Sequence, residues 1–192
     1  MTKILRSTRG FTLIELLVTV ALLAILLALA APNLSTFQRN AELTSFSNSF
    51  MSAINAARGE AMKRGRYAMM VPAGAGTNWG DGWIVFIDVN RSQAYEAASD
   101  ILVMSSDAAP PYLSITANGS GAATPPYILF DASGYSKTKS GAFGALTFSV
   151  VRNDVDSSSS AAETRRLIIS STGRVRVCKP SADSSCTASA SQ

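Results

Sequence analysis

The residues best placed to do chemistry are basic and lie near the C-terminus, in Gly173-Arg174-Val175-Arg176. On an extended strand, alternate side chains share a face, so Arg174 and Arg176 project together while Val175 and Val177 anchor the other side. Two planar guanidiniums so placed suit a pair of phosphates. Lys179 adds a third cation, and between Arg165 and Gln192 five basic residues face one acid, Asp183. The opposing interpretation is a solvated strand edge whose charges discourage edge pairing, or a contact with another protein. No aromatic residue stands near this motif in sequence, which implies weak, phosphate-directed and salt-dependent binding.

Other candidate chemistries are thinner. The chain has no histidine, which excludes Ser-His-Asp and Cys-His catalysis and imidazole zinc sites. Two cysteines cannot build a four-thiolate metal site. Asp88-Val89-Asn90 begins like a calcium loop but lacks the glycine and distal glutamate, and Arg91 would repel a cation; it is expected to be a turn. Asp81 and Asp88 have no evident substrate pocket. Trp79 and Trp83 are expected in the core. No cofactor or metal is implied, and no enzyme motif is present.

Cys178 and Cys186 flank a short loop containing Pro180. In an exported domain such a pair is expected to form a disulfide, with two free thiols as the alternative. The spacing is not the Cys-x-x-Cys of a redox motif.

The elements that must position these residues begin with an apolar run over residues 11–31, long enough to span a bilayer as a helix. Ahead of it, residues 1–10 carry Lys3, Arg6 and Arg9 and no acid. This flank is expected to stay cytoplasmic and place the remainder outside the inner membrane. A secretory signal ending near Ala28-Leu29-Ala30 and a plain anchor are the simpler alternatives. Glu15 argues against both, because a carboxylate within an apolar membrane segment needs a partner.

Pro32 closes the run and is expected to kink the helix rather than end it. Leu43, Phe46, Phe50, Ile54, Ala57 and Ala61 then recur at spacings of three or four, an amphipathic stripe. The helix is expected from residue 11 to about 64, stopping at Gly65, a rod of roughly 80 Å. Short strands are expected over 67–71, 82–88, 101–104, 113–117, 127–131, 145–152, 165–170 and 174–178, separated by Gly, Pro, Asn, Asp and Ser clusters. Residues 157–162 read as a polar connector.

The string Gly10-Phe11-Thr12-Leu13-Ile14-Glu15 resembles the class III signal of type IV pilins and type II secretion pseudopilins. That resemblance implies cleavage by a prepilin peptidase between Gly10 and Phe11 and N-methylation of Phe11. It also implies that Glu15 pairs with the free amine of a neighbouring subunit during assembly.

Residues 57–65, Trp79-Gly80-Asp81-Gly82-Trp83-Ile84-Val85-Phe86, then Arg166-Leu167-Ile168-Ile169 followed by Gly173-Arg174-Val175-Arg176, resemble in order the GspH/FimT group of minor pilins and pseudopilins. The implied fold is an α+β ladle: a leader (1–10), a membrane or filament-core helix (11–31), its amphipathic continuation (32–65), and a mainly antiparallel two-sheet β head (66–192). The implied partners are a prepilin peptidase, other pilins or pseudopilins, and the inner membrane before assembly. In FimT-like members the glycine-arginine motif is implicated in capturing double-stranded DNA for transformation; Arg174, Arg176 and Lys179 carry that role over. The GspH-like alternative is the tip of a secretion pseudopilus.

The chain of 192 residues carries 17 basic and 13 acidic side chains. Removing the leader leaves 14 against 13. The net charge is thus largely an orientation signal, and a nucleic-acid role rests on the local C-terminal asymmetry.

Overall fold

The computed structural model describes residues 10–189, with the side chains of residues 28–33 and of Ala75 outside the description. The leader residues Lys3, Arg6 and Arg9 lie outside the described residues. The chain divides into two compact units, Met1–Ala41 and Glu42–Gln192. One helix, α1 (Leu13–Arg64), runs through Pro32 without ending, as the sequence implied.

In the first unit the helix opens on a reciprocal cap. The Glu15 N–H donates to Thr12 Oγ1 (3.2 Å), while the Thr12 N–H and hydroxyl both donate to Glu15 Oε2 (2.9 Å each). Thr-x-x-Glu is a capping box, which satisfies helix-start donors that have no partner within the helix. The apolar side chains that follow are uncovered, from Phe11 at 88% exposed through Leu13 to Leu27. Among the described residues no helix is long and apolar enough to cross a membrane.

In the second unit, α1 buries Leu43, Phe50, Ala53, Ile54, Ala57 and Ala61 completely, with Phe46 half-buried beside them. Spacings of three and four residues put these on one face. The helix ends in a Schellman arrangement: Gly65 adopts φ +62° and the Arg66 N–H reaches back to Ala61 O at 3.1 Å.

Among the described residues nine strands follow: β1 (Tyr67–Pro72), β2 (Trp83–Asp88), β3 (Ile101–Ser106), β4 (Leu113–Ala117), β5 (Ile128–Phe130), β6 (Ser136–Lys137), β7 (Leu146–Arg152), β8 (Thr164–Ile169) and β9 (Val175–Cys178). They form two antiparallel sheets, ordered β3-β2-β1-β5-β6 and β4-β7-β8-β9. The core lies between the helix and both sheets. Phe50 stands 4.8 Å from Trp83 and 5.0 Å from Phe148, and Trp79 donates its indole N–H to Gly121 O at 2.8 Å. Both tryptophans therefore pack, as expected. Asp88, 1% exposed, accepts the N–H groups of Ser92 and Gln93 at 3.0 Å, so the Asp88-Val89-Asn90 segment serves a turn.

One ion cluster has no counterpart in the sequence reading. Arg152, with 3% of its side chain exposed, meets Asp154 at 2.9 Å and Glu163 at 3.6 Å. Hydrogen bonding to Asp154 leads the interactions that raise its pKa. Removing either partner would leave a buried charge poorly compensated. The pair ties together both ends of the connector at residues 153–163.

Candidate functional site

The register of β8 against β9 decides which side chains share a face. Leu167 pairs with Val177 and Ile169 with Val175, while Arg166 pairs with Cys178 and Ile168 with Arg176. Leu167 and Ile169 are fully buried, and Val175 and Val177 pack against the same core. Arg166 and Arg176 thereby take the outer face, because side chains alternate across a strand.

Arg174 lies just before β9 and is exposed. It lines one shallow cleft of about 210 Å³ with Arg176, Ile168, Ser170 and Thr172. The structure thus brings the two arginines together over an apolar floor with two hydroxyls at the wall. Ser170 Oγ and Thr172 Oγ1 are 2.8 Å apart. Lys179 is half-buried beyond β9 and does not line this cleft.

The two guanidiniums are not equivalent. Arg176 donates from Nη1 to Asp183 Oδ2 (3.3 Å) and Ser185 Oγ (3.2 Å), and from Nη2 to Ser185 O (2.9 Å). Asp183 in turn accepts the Ser185 hydroxyl at 2.7 Å and its N–H at 2.8 Å. The Ser185 bonds, with the Arg176 charge behind them, hold the Asp183 pKa below the usual carboxylate value. A depressed carboxylate keeps its contact at neutral pH and loses it as pH falls through the lowered value. Arg174 has no side-chain partner among the described residues. The single acid of the C-terminal segment is therefore spent on Arg176, and Arg174 is the free cation of the motif.

Cys178 and Cys186 form a disulfide. The enclosed loop turns back along the outer face: Arg166 donates to Cys186 O, and Asn118 Nδ2 donates to Ala188 O at 2.8 Å. Arg166, counted among the basic residues by sequence, thus works as a strap. Replacing both cysteines by serine is expected to lower the unfolding free energy by about 2–3 kcal/mol from loop closure alone. A urea midpoint equal to that of the wild type would show that the straps suffice.

The glycine of the motif has its own role. Gly173 adopts φ +79°, and a Cβ there would lie 2.0 Å from Gly134 O. Arg58, on α1, donates from Nε to Gly134 O (2.9 Å) and from Nη2 to Thr172 O (3.2 Å). Helix, β5–β6 turn and β8–β9 turn therefore meet at one junction. Sequence reasoning passed over Arg58, since nothing local distinguishes a surface arginine from one that bridges two turns. It also passed over the Thr12–Glu15 cap, although Thr-x-x-Glu was legible.

Residues 47–173 match the family model described as type II transport protein GspH, and residues 5–31 match the prokaryotic N-terminal methylation motif. No curated protein matches the chain in sequence. Among solved structures, the type IV minor pilin FimU of Pseudomonas aeruginosa is 20% identical, covers 76% of this chain and 94% of its own, and superposes with a TM-score of 0.55. The minor pseudopilin EpsH from the type 2 secretion system of Vibrio cholerae is 13% identical, with 72% and 98% covered and a TM-score of 0.46. The likeness to FimU establishes the fold, a long N-terminal helix with a two-sheet head.

Proposed function

Because the chain belongs to the GspH family and carries the N-terminal methylation motif, we propose that it is a minor type IV pilin that helps to initiate or cap a filament. Its leader is removed by a prepilin peptidase between Gly10 and Phe11, and Phe11 is methylated. The helix then holds the subunit in the inner membrane, with the head in the periplasm, until Glu15 pairs with a neighbour's amine. The observation that carries this is a methylation motif directly ahead of an apolar helix surface left uncovered by its own chain. The role is one of assembly and binding, with no chemistry of its own.

The head then captures DNA through Arg174, seconded by Arg176 and Lys179, by contacts to the phosphate backbone. Support comes from the unpaired Arg174 guanidinium beside Arg176 in one cleft. Phosphate contacts of this kind are sequence-independent and weaken steeply with salt. The family model's own description favours a second reading, a minor pseudopilin at the tip of a type II secretion pseudopilus.

One double variant, Arg174→Gln with Arg176→Gln, separates these readings when piliation and DNA uptake are measured together. Loss of uptake with pili retained is the expected result. Loss of pili would assign the arginines to assembly, and loss of neither would favour secretion. As single changes, Arg174→Gln is expected to weaken DNA binding more than Arg176→Gln, whose guanidinium is already engaged by Asp183.

A further inference from the structure

Two aromatic rings stand uncovered on the hairpin that is bonded to the turn carrying Arg174. Tyr135 and Phe143 are 41% and 61% exposed, with ring centroids 5.4 Å apart and planes at 75°. The rings thus form an open corner. Tyr135 lies in the turn between β5 and β6, and Phe143 returns to that hairpin through a bridge to Lys137. The Lys137 ammonium sits 3.4 Å from the Phe143 centroid and 3.8 Å from Asp131 Oδ2.

This hairpin is bonded to the turn that carries the arginine motif. The Ser136 N–H donates to Ser171 O at 3.1 Å, and Gly134 O packs against Gly173. Arg58 donates to both turns. Tyr135 lies between Gly134 and Ser136 in the chain, and Arg174 directly follows Gly173. The turns that carry Tyr135 and Arg174 therefore meet at one hydrogen-bonded junction, although the two residues lie 39 positions apart in sequence.

Exposed rings near an unpaired cation are the surface that single-stranded nucleic acid selects: bases stack on the rings while phosphates meet the cation. A duplex keeps its base faces stacked inside and can use only the cation. A protein partner would cover the rings equally well but would have to supply an acid for Arg174. We propose that Tyr135 and Phe143 form a base-stacking corner, with Arg174 as the phosphate contact, so that the head prefers single-stranded to duplex DNA. The proposal rests on the DNA-binding reading above and names the form of DNA which that site takes.

The test uses the full-length mature chain in detergent micelles at low salt, with fluorescein-labelled oligo(dT) of about 20 nucleotides and a duplex of the same length. Fluorescence anisotropy is expected to show oligo(dT) bound roughly tenfold more tightly than duplex. Tyr135→Ser with Phe143→Ser should bring oligo(dT) down to the duplex affinity and leave duplex binding unchanged. Phe143→Trp should retain the preference, which separates lost stacking from a damaged fold. Arg174→Gln should weaken both ligands. Equal affinities in the wild type, or an aromatic double variant that binds oligo(dT) as the wild type does, would overturn the stacking corner while leaving duplex capture standing. Binding of neither ligand by the wild type would remove the DNA reading and this proposal together. Loss of piliation with oligo(dT) binding retained would assign the rings to a neighbouring subunit instead.

Discussion

Gly173→Ala is expected to lower the melting temperature of the protein by on the order of 10 °C. Two costs combine. A residue with a side chain held at φ +79° is strained by about 1–3 kcal/mol. The new Cβ would also lie 2.0 Å from Gly134 O and 2.8 Å from Arg58 Nε, and overpacking of this kind adds about 1–3 kcal/mol. The obstructing atom is a backbone carbonyl, so it cannot swing aside. Gly134, also at positive φ, would set its Cβ against the flexible end of Met62 instead. The contrast is Gly59→Ala: Gly59 is exposed on α1 with nothing within 4 Å of its Cβ position. It is expected to stabilise by about 0.5–1 kcal/mol, because alanine loses less backbone entropy in a helix. Thermal melts followed by circular dichroism check both. A Gly173→Ala protein that melts with the wild type would mean the junction of Arg58, Gly134 and Thr172 gives way freely.

Glu15→Gln is expected to abolish or severely reduce filament formation while leaving leader cleavage intact. Glutamine is the informative choice because Glu15 already caps its own helix beside the pairing proposed for it. Within its own chain it closes the capping box with Thr12, and glutamine can also reach back to the N-cap N–H. What glutamine lacks is the charge to pair with a neighbour's amine in an apolar surrounding. Glu15→Ala removes both the cap and the charge of the proposed pairing and cannot separate them. Immunoblots report processing, and counting sheared filaments reports assembly. Wild-type filament numbers from the Gln variant would show that the cap, rather than the charge, is what assembly requires.

The head was legible to different depths at different places. All eight strands expected from β-branched and aromatic runs are present, with ends shifted by one or two residues. β6 was missed because two residues, Ser136 and Lys137, carry no periodicity. It exists because Leu129 and Phe130 offer a strand to pair with and Ser171 O accepts the Ser136 N–H. The amphipathic stripe from Leu43 to Ala61 was readable because helical spacing and burial obey one period. The disulfide was readable because the cysteines lie eight positions apart and so short a loop closes easily.

The candidate site shows the boundary between local and tertiary information. The pattern Gly-Arg-Val-Arg-Val already implied two arginines on one face and two valines on the other, since alternation is a property of the strand itself. The sequence alone likewise placed the methylation motif, the helix that follows it and the near neutrality of the chain once its leader is removed. It left Arg174 and Arg176 equivalent. Their difference arises when the disulfide loop folds back and sets Asp183 and Ser185 against Arg176 alone. The turns that carry Tyr135 and Arg174 meet only because Arg58 bridges them around Gly173. Spacing along the chain determines which side chains point the same way. Which charges remain free, and which turns meet, depends on segments far apart in sequence competing for the same hydrogen bonds, and only the folded chain decides that.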